Sequence, residues 1–404
     1  MAVTASAGDI ALRDTYAAAF TDWLACACAG VNERAATAVQ AGSEGVVGEI
    51  AWAATAGHVH DYDDTFSDGV AHVSATTAPA ALGLAAHLGT TVGEALAAYA
   101  EGYEAMAAVA AASHPALYDA GWHPTAVCGP IGAVVAASRL LGLTGSERES
   151  ALAIALLRAG GTRGAFGSDG KAVQVGLAAA AGAQAALLAR AGARVRAEAI
   201  HGPLGFTAVL GASWAELAER EKSVGKAEPE PAITRNWIKL HPSCLGTHAP
   251  IDAAAQLRDA GVDASAERVE VRVHPVARQA AHLDAVNDGL EAKFSIPYCV
   301  MHTLLHGPPR LRDFAEIDAD ARERSARVTV SVDASLPEFG AVVALGGREP
   351  VWVECPRGAP GRPLQPAELH AKVKELAGDR LEGLLDDPSR PAAEVVAALS
   401  TFRR

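Results

Sequence analysis

Residues 58–65, His-Val-His-Asp-Tyr-Asp-Asp-Thr, bring two imidazoles and three carboxylates into eight positions, and His72 follows shortly after. The flanking segments, Ala51-Trp52-Ala53-Ala54 and Ala78-Pro79-Ala80-Ala81, are small and apolar. Titratable groups in such surroundings shift their pKa values and can exchange protons near neutral pH. The same residues also suit a capping turn, because Asp and Thr are good helix N-cap residues. Composition does not choose between these readings.

Four other stretches carry possible chemistry. Gly121-Trp-His123-Pro-Thr125 presents an exposed-looking imidazole at an X-Pro turn before the helical run 126–143; taken alone it reads better as a capping turn. The glycine-rich segment 161–171 ends in Lys171 and opens a helix, where backbone N–H groups and the helix dipole favour an anion. It is not a P-loop, because position 165 is alanine and Ala172 follows the lysine where Ser or Thr is required. A carboxylate remains open there. The segment 238–248 supplies Lys239, His241 and His248 ahead of the helix 251–257, with Lys239 suited to clamping a carboxylate. No spacing there specifies a metal geometry. Finally, Tyr298 in Lys293-Phe-Ser-Ile-Pro-Tyr298 is either a proton donor or an ordinary interfacial tyrosine.

These residues must be held by a chain of 404 residues, longer than one core usually serves, so two domains are expected. The first half reads as successive helices. Thr91-x-x-Glu94 and Thr144-x-x-Glu147 form capping-box patterns that start helices near 92 and 145. Residues 172–192 are small nearly all round, as suits a central helix closely approached by its neighbours rather than a membrane span. The segment 221–231, rich in Lys, Glu and Pro, breaks the helical pattern and reads as a linker. Beyond it, 269–273 and 328–332 alternate with period two, and 341–345 faces 351–353 across Gly346-Gly347 as a hairpin. Helical periodicity returns at 367–376 and 392–399. The expected division is therefore an all-helical domain at 1–228, an α+β domain at 229–362 and a helical tail at 363–404 whose packing partner is open.

With 34 basic and 47 acidic residues the formal charge is −13, which excludes nucleic-acid or anionic-membrane binding as the main role. The start of the chain has no leader-like apolar stretch, so a cytoplasmic protein is expected. The six cysteines lack metal-site or redox spacing and read mostly as buried small residues.

Together these stretches resemble the MmgE/PrpD family, which includes 2-methylcitrate dehydratases, cis-aconitate decarboxylases and iminodisuccinate epimerases. The resemblance spans nearly the whole chain. It rests on 58–65 with His72-Val-Ser74, on Gly121–Thr125, on Gly170-Lys171 before an alanine-rich helix, on Lys239 and His248-Ala-Pro-Ile-Asp252, and on 293–298. It implies a large all-helical domain with a smaller α+β domain, a homodimer, a site in the cleft between domains, and no metal or organic cofactor. By the same resemblance Asp61 and Thr65 match the acidic motif, His72 and His123 the active-site histidines, Lys171 and Lys239 the lysines, Tyr298 the tyrosine and His58 the leading histidine. The chain departs from the family pattern at Val73, where proline is usual, at Ala75-Thr76, where the dehydratase branch often has Asp-Asn, and at Gln174, where histidine is common.

The activities in that family share proton transfer at a carbon beside a carboxylate. An imidazole can carry that proton at neutral pH, and lysine charge offsets the negative charge that develops. The expected roles are His72 and His123 as an acid/base pair, Asp61 as the carboxylate that orients a histidine, and Tyr298 as an auxiliary donor. Lys171, Lys239, Thr65, His58 and His248 would bind the substrate, a small di- or tricarboxylate. A hydro-lyase of the 2-methylcitrate dehydratase kind is the first expectation, a decarboxylase or an epimerase the next, and a non-catalytic binding protein the alternative from another class. Which histidine is the base is left open.

Overall fold

The computed structural model describes residues 7–209, 230–261 and 268–403. The expected linker at 221–231 lies outside them apart from Glu230 and Pro231. The first part is helical apart from one two-residue strand: α1 (Ala7–Gly30), α2 (Arg34–Ala41), α3 (Gly45–His58), α4 (Val73–Leu88), α5 (Val92–Ser113), α6 (Ala116–Asp119), α7 (Pro124–Leu140), α8 (Gly145–Leu156) and α9 (Asp169–Arg190) are its main helices. The expected helix starts at 92 and 145 are found. Thr91 and Glu94 form the full reciprocal capping box, whereas the Thr144 side chain makes no capping bond.

Among the described residues α9 alone is long and apolar enough to cross a membrane, yet most of that apolar stretch is buried among α3, α7 and α8. Small residues make this packing possible. A Cβ on Gly176 would lie 2.1 Å from Thr55 Oγ1, and one on Gly182 would lie 2.7 Å from the Pro130 carbonyl. At the other side of the bundle, Tyr16 and Phe20 of α1 pack edge-on against Tyr99 of α5, with Tyr103 beside them.

That aromatic cluster anchors the chain where it enters the second part. Tyr16 donates to Glu104, whose carboxylate accepts the N–H groups of Ala232 and Ile233. Tyr103 donates to Asn236 of β2 (Asn236–Trp237), which pairs antiparallel with β1 (Thr65–Phe66). This two-stranded ribbon is what brings the acidic loop alongside Lys239.

The second part is α+β. Strands β3 (Val269–Val273), β4 (Val328–Val332), β5 (Ala341–Leu345) and β6 (Val351–Val353) form one sheet in the order β4-β3-β5-β6. The β3 and β4 pair is parallel, and the other pairs are antiparallel. Val269, Val271 and Val273 point inward while Glu270 and Arg272 face solvent, the alternation expected of a half-covered strand. The helices His248–Asp259 and Ile296–His306 cover the inner face.

The tail returns to the helical domain. The helix Pro366–Ala377 lies on α1, and Ala392–Ser400 lies on α4. Backbone bonds from Val92 N–H to Arg390 O and from Ala392 N–H to Thr90 O fix the latter. Leu376, Leu381, Val395 and Leu399 join the same core as Phe20 and Tyr99.

Candidate active site

Four helix ends of the first domain converge. His58 closes α3, His72 precedes α4, His123 precedes α7 with Pro124 at the first helical position, and Lys171 sits in the first turn of α9. The loop after α3 is held in sparsely populated backbone conformations. Asp61 has φ 51° and Val70 has φ 47°; the left-handed region is costly for a β-branched residue and such strain gathers at functional sites.

Asp63 is the pivot of the polar cluster. Its carboxylate lies 3.0 Å from Nδ1 of His58 and 3.0 Å from Nδ1 of His72. A carboxylate only accepts, so both imidazoles carry their proton on Nδ1. The Nε2 of His58 then accepts from Lys171 Nζ at 2.8 Å. The Nε2 of His72 is left with its lone pair, 3.4 Å from Asp61 Oδ1. Thr65 Oγ1 and Thr125 Oγ1 complete the setting of His72, at 3.3 Å from its Nδ1 and 2.9 Å from its backbone nitrogen.

His123 is held in the opposite tautomer. Thr162 N–H donates to Gln174 Oε1 at 3.0 Å, which orients the amide, and Gln174 Nε2 donates to His123 Nδ1 at 2.7 Å. The His123 proton is therefore on Nε2. Gln174 lies three residues after Lys171 on the same face of α9.

Burial pushes His72 down to about 3 against the pull of Asp63, and burial next to Lys171, His58 and His72 holds His123 well below its ordinary value. Both rings are neutral at neutral pH. Although burial opposes ionisation of Asp61, Lys171 at 3.0 Å and Lys239 at 2.6 Å hold its carboxyl well below the usual carboxylate range. Asp63 is likewise held low against its burial by His58 and His72. Asp64 goes the other way. Burial, with Asp22 nearby, raises it well above the carboxylate range, and Ser74 ties it to Tyr99.

The cavity these groups open onto has a polar wall of Asp61, Thr65, His72, His123, Lys171 and Lys239. Val70, Tyr118, Phe166, Cys244, Leu245, Ala280, Phe294 and Phe339 complete its lining, with Lys171 Nζ over the Phe166 and Phe294 rings, so both domains contribute. His123 stands at the seam, its ring edge-on to Phe166 at 5.0 Å. A larger cleft lies behind the acidic loop, lined by Glu33, Arg34, His60, Lys293 and Arg312, and holds neither His72 nor His123.

The structure thus brings Asp61, Thr65, His72, His123, Lys171 and Lys239 to one cavity. It revises other expectations. His123 is buried rather than exposed. Lys239 spends its three protons on Asp61 Oδ1, Asp61 O and Ser243 O, so it fixes Asp61 instead of offering a free clamp. His58 has both nitrogens engaged and serves to hold Asp63 and Lys171. Tyr298 does not line the cavity; it is buried in the second core, where its hydroxyl accepts the Asp318 N–H. His248 also lies away from the cavity, against Trp237 and His241, with Nε2 3.3 Å from Ser243 O. Lys171 retains one proton beyond those given to His58 and Asp61.

Asp63 and Gln174, which bond the site histidines, are the residues to which the sequence reading gave no role. Asp63 lay inside the motif with nothing local to separate it from Asp61 and Asp64. Gln174 stood out only as a departure from a pattern. Among the described residues, His58, Asp63 and His72 are the group whose ligand atoms lie close enough together to hold an ion. Their 3.0 Å spacings suit donor and acceptor; two ligands about 2.1 Å from a tetrahedral ion stand roughly 3.4 Å apart.

Comparison with known proteins agrees with this architecture. Residues 1–215 match the MmgE/PrpD N-terminal domain and residues 241–390 the MmgE/PrpD C-terminal domain. The chain is similar to the human cis-aconitate decarboxylase, with 28% identity over 235 residues, 54% of this chain and 47% of that protein. It is also similar to the cis-aconitate decarboxylase-like protein oryM of Aspergillus oryzae, with 31% identity over 172 residues, 39% of this chain and 34% of that protein. The matches thus span half or less of those relatives' lengths. With both domains matched in order over most of its length, the chain belongs to the MmgE/PrpD family.

Proposed function

We propose that this protein is a lyase acting on a small tricarboxylate of the cis-aconitate class, with decarboxylation as its reaction. The observation that carries the reading is the placing of two donors, His123 Nε2–H and the spare Lys171 proton, beside His72 at one cavity, where negative charge left on carbon would be held. A bound polycarboxylate sets negative charge beside His72 and raises its pKa, so the ring takes up a proton at Nε2. The carbon–carbon bond to one carboxylate then breaks, carbon dioxide leaves, and the electron pair remains on carbon in conjugation with the next carboxylate. His123 Nε2–H and the spare Lys171 proton stabilise that charge, and His72 returns its proton to carbon. The leaving carboxylate would lie against Val70, Leu245 and Phe339 of the lining, where its charge is poorly solvated and its loss as neutral carbon dioxide is favoured. Both relatives named above carry cis-aconitate decarboxylase in their names, which supports this order.

Elimination of water from a citrate-like acid is the second reading. The unprotonated His72 Nε2 favours it, since that atom could remove a carbon-bound proton while His123 Nε2–H bonds the departing oxygen. Incubating the protein with cis-aconitate, citrate, 2-methylcitrate and iminodisuccinate in D₂O, followed by proton NMR, separates the reactions. Loss of a carboxyl group from cis-aconitate with solvent deuterium on carbon is the expected outcome. New alkene signals from a hydroxy acid would install the second reading, and no change in any of the four would sink both. A homodimer is proposed on family grounds, supported by Leu157, Leu177 and Leu188 standing exposed on the α8–α9 side; light scattering tests it.

A further inference from the structure

The carbonyls of His60, Asp61 and Tyr62 are three consecutive acceptors in a loop that cannot give them a strand ladder. Opposite them runs the segment 239–243, which presents acceptors of its own. Two rows of carbonyls cannot bond each other, and a buried carbonyl without a donor is costly. Three lysine side chains solve this by donating to both rows. Lys293 bonds His60 O at 2.7 Å and Pro242 O at 2.9 Å. Lys239 bonds Asp61 O at 2.9 Å and Ser243 O at 3.2 Å. Lys372 bonds Tyr62 O at 2.7 Å and Lys239 O at 3.0 Å. The three lysines are buried and come from three places: the second domain's interior, the 239–243 segment itself and the C-terminal tail. Lys372 is further tied to Asp22 of α1 at 2.6 Å and lies over the Tyr62 ring, while Lys293 lies over Phe314.

We propose that Lys372 and Lys293 are positioning residues that staple the acidic loop to the Lys239 segment and so set the register of Asp61 against the second domain's half of the site. Neither lysine reaches His72 or His123; they act through the backbone on either side of Asp61, whose left-handed conformation must be imposed by its surroundings. The tail helix Pro366–Ala377 is thereby part of the active-site framework, although it lines no part of the cavity that holds His72 and His123.

The inference about turnover rests on the proposed lyase reading, so the test has an arm that needs no substrate. Lys372→Met leaves Asp22 buried without its partner and can fail to fold; D22N/K372M removes both charges and keeps the question answerable. In D22N/K372M, hydrogen exchange in peptides covering 59–66 and 238–244 is expected to rise at least about tenfold, with sheet peptides over 269–273 and 341–345 unchanged. On a substrate that the wild type turns over, kcat should fall roughly a hundredfold, the effect of misplacing a catalytic group by about 1 Å, with KM within about threefold. K293M should reproduce both effects from the other side of the loop. Wild-type exchange at 59–66 and 238–244, or an unchanged kcat in the folded double variant, would overturn the proposal. If the wild type turns over none of the four acids, the substrate reading fails and the exchange result alone decides the staple.

Discussion

Replacing Asp63 by asparagine tests the hydrogen-bond logic of the site with almost no change of shape. The carboxylate accepts from His58 Nδ1 and His72 Nδ1, each at 3.0 Å and each with the ring buried. Asparagine has one acceptor oxygen, and its other position donates. Both Nδ1 atoms share Oδ2, and His58 Nδ1 also lies 3.1 Å from Oδ1, so whichever way the amide turns its NH₂ meets an Nδ1–H, and that imidazole is pressed to move its proton to Nε2. If His72 does so, its cavity nitrogen holds the N–H of a neutral ring, a far weaker acid than the imidazolium that the Asp63 carboxylate supports, and it protonates carbon poorly. If His58 does so, its Nε2–H meets the Lys171 ammonium 2.8 Å away and drives it off, together with its hold on Asp61. Each bond to the carboxylate is charge-assisted and worth about 1.5–3 kcal/mol, so a loss of about 2–4 kcal/mol of stability is expected, survivable for a folded domain. The chemical effect should be larger. In serine-protease triads the matching Asp-to-Asn change leaves the geometry intact and lowers kcat by roughly 10⁴ through the wrong tautomer. Here kcat should fall between about 10³ and 10⁴, or about 4–5.5 kcal/mol in activation free energy. Steady-state kinetics on whichever acid the wild type consumes, with circular dichroism melts and nitrogen-15 spectra of the histidines, give the answer. A folded D63N protein with kcat within about threefold of wild type would refute the tautomer argument.

Lys171→Gln should raise KM at least about tenfold, because the spare Lys171 proton is the free cationic donor that a substrate carboxylate would meet; an unchanged KM removes that role. Gln174→Glu should turn His123 over to the Nδ1–H tautomer and lower kcat about a hundredfold, the order seen for removal of one donor to a developing charge; retained turnover with nitrogen-15 shifts that show a neutral Nδ1–H ring would show that His123 Nε2–H is not used. Acid should destabilise the fold: burial lowers His60 and His72 to about 3 from 6.5, so the unfolded chain binds more protons between those values and stability is lost as pH falls below about 6.5. Between pH 7 and 5 each ring contributes about 2 kcal/mol of loss, and the depressed Asp61 and Asp63 act in the same sense at lower pH. Urea midpoints at pH 7, 6 and 5 check this, and a midpoint that rises toward pH 5 contradicts it.

Much of the architecture was legible in the sequence because it is written in local chemistry. Thr91 and Glu94 are three residues apart and cap the helix they precede, and Val269, Val271 and Val273 alternate with Glu270 and Arg272 because a strand has period two. The candidate groups were legible too, since His72, His123, Asp61 and Lys171 are the residue types that can carry protons and charge. The sequence could not say which of these groups meet, or through which atoms. His123 looked exposed beside its proline, yet Gln174 and Phe166 enclose it from across a loop. Tyr298 and His248 matched a family pattern, yet their polar atoms turn to Asp318 and Ser243. The tail had no assigned partner until Lys372 was seen reaching Tyr62 across 310 positions of chain. Residue type and local period are properties of neighbouring positions, and the sequence by itself determines them. The tautomer of an imidazole and the partner of a buried lysine depend on donors and acceptors that only folding brings within 3 Å, and these the tertiary structure decided.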